Sequence, residues 1–202
     1  MNKGDQIRRL VADHKKTVSE MQRKLAQIND DLKQSVQDRK RHEIRQEFAE
    51  TLKDQMKQIR TYRDELAQDR KRVTNPKQSL FRAAWRAELT PAQQAVLSSV
   101  DTLSTDILMD LAGQYRNPVL TMAAWQSIED RLDGDELTNA RLELKKQADA
   151  FIPMREVQEI AGLEHLLIES QLLHNDQIEG SATDRLTLGR EQAELRQYLE
   201  AE

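Results

Sequence analysis

From Asp5 to Asn75 the chain contains neither glycine nor proline, a run of seventy-one residues. Those two residues are the ordinary means of ending a helix, so a stretch that lacks both has few alternatives to long helix. Within it Ile7, Val11, His14, Val18, Met21, Leu25, Ile28 and Leu32 recur at alternating steps of four and three. That spacing is the seam a coiled coil buries. Nearly half of the run is charged, so the stripe cannot bury itself and needs a partner.

The seam then drifts. After Leu32 the residues due on it are Val36, Lys40, Ile44, Phe48 and Leu52, successive steps of four that each advance about 40° around the helix. Leu52 therefore lies about 200° from Leu32. A second stripe, Leu52, Ile59, Tyr62, Leu66 and Val73, faces nearly the opposite way. The expected structure is one bent helix from Asp5 to about Val73, roughly 100 Å long at the usual rise. The alternative is a helical hairpin closing near residues 34–42, where Ser35 or Asp38 would cap the returning helix.

A boundary follows at Thr74-Asn75-Pro76-Lys77-Gln78-Ser79, since the residue before proline is biased out of the helical region. The expected division is a charged coiled-coil arm, 1–75, and an all-α helical bundle, 76–202. Ser79 is placed to cap a short helix holding Phe81 and Trp85. Thr90-Pro91-Ala92-Gln93 opens another, ending by Gly113, with Val96, Val100, Leu103, Ile107 and Leu111 on its inner face. Further helices are expected from Asn117-Pro118 to Asp133-Gly134, from Asp135 to about Ile152, from Pro153 to about His174, and from Thr183 onward. No segment alternates long enough to make a strand, so the fold class is all-α.

Charge divides along the chain. Residues 1–80 carry 20 Lys and Arg against 13 Asp and Glu, and residues 81–202 carry 11 against 22. A basic arm and an acidic body suit either an anionic partner for the arm or pairing of arm with body. The pentapeptide Gln-Asp-Arg-Lys-Arg occurs twice, at 37–41 and 68–72, without matching flanks, which is too little for a repeat architecture. There is no cysteine, which excludes disulfides and thiolate chemistry and fits a cytoplasmic compartment. The opening residues carry positive charge but no apolar segment after it, and no run is long enough for a membrane span.

Motifs for catalysis are missing: no phosphate loop, dinucleotide fingerprint or nucleophile elbow occurs, and none of His14, His42, His165 and His174 has the spacing of a metal pair. Two acidic clusters, at Asp130–Glu136 and Asn175–Gly180, fail as calcium loops because Ala140 and Leu186 would fall where a bidentate glutamate is required. A helix–turn–helix over 118–151 would open its reading helix with carboxylates.

No cofactor, metal or small-molecule substrate is expected. The sequence points to a non-enzymatic structural or adaptor protein that oligomerises or docks onto a larger assembly. Its seam would be Ile7, Val11, Val18, Met21, Leu25, Ile28, Leu32, Leu52, Ile59 and Leu66. The alternative is a nucleic-acid-associated protein gripping phosphates through Arg39, Lys40, Arg41, Arg70, Lys71 and Arg72.

Overall fold

The computed structural model describes residues 2–176 and 182–200, the latter with side chains from residue 186 onward. Among them are nine α-helices and no strand: α1 (Lys3–Ala26), α2 (Gln34–Val73), α3 (Pro76–Ala84), α4 (Pro91–Ser98), α5 (Thr105–Tyr115), α6 (Pro118–Arg131), α7 (Gly134–Asp149), α8 (Met154–His174) and α9 (Ala182–Leu199). The all-α class is as expected. The single long helix is not: α1 and α2 are separate, and the turn between them lies upstream of the segment where a hairpin was expected to close.

The turn needs no glycine because side chains satisfy its backbone. Asn29 Oδ1 accepts from the Asp31 N–H at 2.9 Å, a local turn that Asn readily forms. The Gln37 amide then donates to two free carbonyls, Asp30 O at 3.0 Å and Leu32 O at 2.9 Å. α1 itself is capped by Asn2, which accepts from the Asp5 N–H, and ends with Arg23 and Lys24 at its negative pole.

The chain forms two compact units, Met1–Arg70 with Gln158–Glu202, and Lys71–Val157. The expected division at residue 75 groups residues 158–202 with the bundle, whereas here they join the arm. In the first unit α1 and α2 run antiparallel. Lys3 pairs with Glu65 (2.9 Å) and Asp69 (3.2 Å), Gln6 accepts from Tyr62, and Lys24 pairs with Glu47, which fixes the register from end to end. Ile7 and Val11 pack with Met56, Ile59 and Leu66 of α2 and with Leu167 of α8. Leu188 and Leu195 of α9 cover Ala161 and Ile168 on another side of α8.

In the second unit α6 packs against α3, α4, α5 and α7. Its buried Leu120, Ala124, Trp125 and Ile128 meet Leu80 of α3, Leu108 and Ala112 of α5, and Ala140, Leu144 and Ala148 of α7. Asn75, not Ser79, caps α3, with Pro76 in its first turn; Ser79 is buried and its hydroxyl donates to Val73 O at 2.6 Å. Thr90 and Gln93 form the capping box of α4 as expected.

The helix expected from there to Gly113 divides into α4 and α5, with Ser104 capping the second. Ile107 consequently points outward, and Gly113 lies inside α5, which closes instead on Arg116 in the left-handed region at φ 46°.

Candidate docking surface

The turn at residues 27–33 changes what the two apolar stripes can reach. On one continuous helix they would face opposite partners; folded back, they face each other. Ile7, Val11, Val18 and Met21 of the seam and Leu52, Ile59 and Leu66 of the second stripe are all buried within the first unit. Leu25, Ile28 and Leu32, toward the turn, are half-buried. A seam that the sequence offers to an outside partner thus has one in its own chain.

His14, the polar member of that seam, is fully buried. Its Nδ1–H donates to Gln55 Oε1 at 3.1 Å, and Gln55 Nε2 donates in turn to Thr17 Oγ1 at 3.2 Å, which fixes the neutral tautomer. The ring of His174 lies 5.4 Å away, centroid to centroid. Burial lowers the His14 pKa, against the Gln55 hydrogen bond, which favours the proton; the neighbouring His174 lowers it further, and the Ser170 backbone opposes. Among the described residues no three His, Asp or Glu side chains gather to hold a metal ion.

The basic clusters part company in the fold. Arg39, Lys40 and Arg41 are exposed near the start of α2, with Arg39 paired to Glu43 (2.9 Å) and Arg41 to Asp38 (3.6 Å). Lys71 and Arg72 are exposed too. Arg70 is not: its Nε–H donates to the buried carboxylate of Glu164 at 2.6 Å, and its guanidinium lies 5.3 Å from the centre of the Tyr198 ring. Burial pushes the Glu164 carboxyl up, against the pull of Arg70; burial likewise opposes the Arg70 charge, but Glu164 outweighs it and the guanidinium is held more firmly protonated.

Counting charge by unit removes the contrast seen along the sequence. The first unit carries 20 Lys and Arg against 23 Asp and Glu, the second 11 against 12. The basic hairpin and the acidic α8–α9 segment neutralise each other inside one unit. Arg70–Glu164, Arg63–Glu191 (3.6 Å) and Lys15–Glu169 (3.9 Å) are the contacts that do it.

An outward-facing surface occurs instead on α3. Leu80 enters the core of the second unit, and Ala84, four residues on, is buried as well. Phe81 and Trp85 stand one position further on, about 100° round the helix, and are 59% and 84% exposed. Among the described residues no other large apolar side chain is as open as Trp85.

The row continues back to Lys77, four residues before Phe81. Its ammonium bonds both Glu129 oxygens at 2.8 and 2.9 Å and sits 5.8 Å from the centre of the Trp125 ring. The Lys77 hydrogen bond holds the Glu129 carboxyl below its usual range, helped by the Trp125 indole N–H at 3.0 Å. Beside the aromatics run Arg82, which pairs weakly with Glu156 at 3.8 Å, and the exposed Arg86 in the closing turn. One face thus carries two exposed rings beside two cations, on a helix anchored at its start.

The sequence places both rings on a short helix, and the structure adds their outward aim. The signal was present: an Asn75 cap fixes the register, and Leu80/Ala84 and Phe81/Trp85 cannot share one face of so short a helix. No described helix is long and apolar enough to cross a membrane. Comparison with protein-family models, curated proteins and solved structures finds no match to this chain.

Proposed function

We propose that this protein is a non-enzymatic helical adaptor that docks onto a larger assembly through α3, and that its N-terminal hairpin serves as internal framework. The observation that carries this reading is the exposed Phe81–Trp85 row flanked by Arg82 and Arg86. Burying an exposed aromatic stabilises a complex by about 1.5–3 kcal/mol, and Trp and Arg are over-represented among residues that dominate binding energy. The matching occupant is a protein surface with an apolar pocket rimmed by carboxylates, since the arginines need anionic partners and the rings need a dry cavity. Lys77, held by Glu129, keeps the helix start in place so that little is spent on ordering it.

The test uses the full chain and the cells it comes from. A discrete partner is expected to co-purify with it, to bind the purified chain directly, and to blue-shift the emission of Trp85. Replacing Phe81 and Trp85 together by serine should abolish binding, while Ile107→Ser, at another exposed apolar position, should not. Unchanged binding in the double variant removes α3 from the role. Self-association lost in the same variant assigns the face to a second copy. Capture of single-stranded oligonucleotide with steep salt dependence revives the nucleic-acid alternative.

A further inference from the structure

The first unit contains a cavity of about 350 Å³, within the size range of small-molecule sites. Three elements line it. Met56, Arg60 and Arg63 come from one face of α2, Gln171 and Asn175 from the end of α8 and just beyond it, and Thr187, Leu188 and Glu191 from α9. Met56 and Leu188 are buried and make an apolar wall.

The polar side draws on all three elements. Asn175, 3% exposed, lines the cavity with a side-chain amide that can donate and accept. Gln171, equally buried, accepts from Arg63 Nη1 at 2.7 Å through its oxygen, and its NH2 group is a donor. Arg60 reaches the same cavity with no ion pair among the described residues. The two arginines and the two side-chain amides supply donors, with the Thr187 hydroxyl among them. Glu191, 3.6 Å from Arg63, offsets one of the two cations and leaves the site a net single positive charge.

We infer that this cavity binds a small organic monocarboxylate. The carboxylate takes hydrogen bonds from Arg60 and the Asn175 amide, and a short aliphatic tail lies against Met56 and Leu188. A dianionic phosphate fits less well, because Glu191 would sit beside its second charge and only one net cation answers it. The assignment is independent of the α3 surface, which lies in the other unit.

Hexanoate is the probe. Titrated into the ¹⁵N-labelled full chain, it should shift the Asn175 and Gln171 side-chain amide signals saturably. Arg60→Gln, at an exposed position that leaves the core intact, should weaken binding about tenfold or more, the usual cost of a lost charged hydrogen bond. Asn175→Leu should weaken it similarly with an unchanged helical circular dichroism spectrum. Hexanol, with the same tail, should leave the amide signals in place. No saturable shift with hexanoate, an equal response to hexanol, or undiminished binding in Arg60→Gln overturns the inference. Displacement of hexanoate by inorganic phosphate at comparable concentration overturns the choice of carboxylate.

Discussion

Two buried side chains in the first unit carry energetic consequences that reach solution. His14 is held neutral by burial, and its folded pKa lies below the ordinary 6.5. The unfolded chain therefore binds a proton near 6.5 while the folded chain resists it until lower pH. The contribution of His14 to stability is complete above that value and drains away as pH falls through the window beneath it. Denaturant unfolding at pH 8 and pH 5.5 should show the parent losing more stability than His14→Gln, which has no proton to gain. Equal losses would remove His14 as the cause.

Arg70 makes a sharper case. Arg70→Met leaves the Glu164 carboxylate buried and unpaired, at an expected cost of about 3–5 kcal/mol; the double change Arg70→Met, Glu164→Leu should recover most of it. His14 was legible as a polar member of the seam, because seven apolar neighbours set its register. Arg70 was misplaced among phosphate contacts, because its partner stands ninety-four residues away and nothing local distinguishes it from Lys71.

At the scale of the helix, two breaks escaped the sequence for a shared reason. Hydrophobic spacing runs through both, from Leu25 to Val36 and from Val96 to Leu111, so periodicity alone reads continuous helix. In each case a long polar side chain from elsewhere takes up carbonyls that the broken helix leaves open. Gln37 does so at the first turn. At the second, Arg131 at the end of α6 donates to Leu103 O at 2.6 Å and Val100 O at 3.0 Å. Nearby hydroxyls assist: Ser98, Ser99 and Thr102 each donate to a backbone carbonyl three or four residues back. Helix starts, by contrast, were readable at Thr90-Pro91 and Asn117-Pro118, where a capping residue precedes proline, while at Asn75-Pro76 the cap is Asn75 rather than the expected Ser79. Gln37→Leu should therefore destabilise the first unit by about 1–3 kcal/mol and speed amide exchange across residues 27–33, where both carbonyls lose their donor.

For the molecule as a whole, the compact units divide after Arg70, where the sequence suggests a boundary at residue 75, and α8 and α9 group with the N-terminal segment. Their partner is the N-terminal hairpin, and that pairing rests on Leu167 against Ile7 and Val11, a contact between distant parts of the chain. The opposed charges of the two halves were the available hint, and pairing of arm with body was one of their two readings. Removing residues 158–202 should uncover Ile7, Val11, Ile59 and Leu66 at once. Light scattering is expected to report concentration-dependent association of the truncated chain, and Ile7→Asp with Ile59→Asp should reverse it. A truncated chain that stays monomeric would mean the hairpin closes its stripes without α8.

Because the first unit is assembled from both ends of the chain, its completion has a schedule. At ribosomal rates of about 5–20 residues per second, roughly 5–20 s separate synthesis of the hairpin from that of Leu167. The contiguous second unit is finished within that interval. The nascent hairpin spends it with Ile7 and Ile59 lacking their third helix, which makes newborn chains on one messenger, rather than mature molecules, the population most exposed to mispairing.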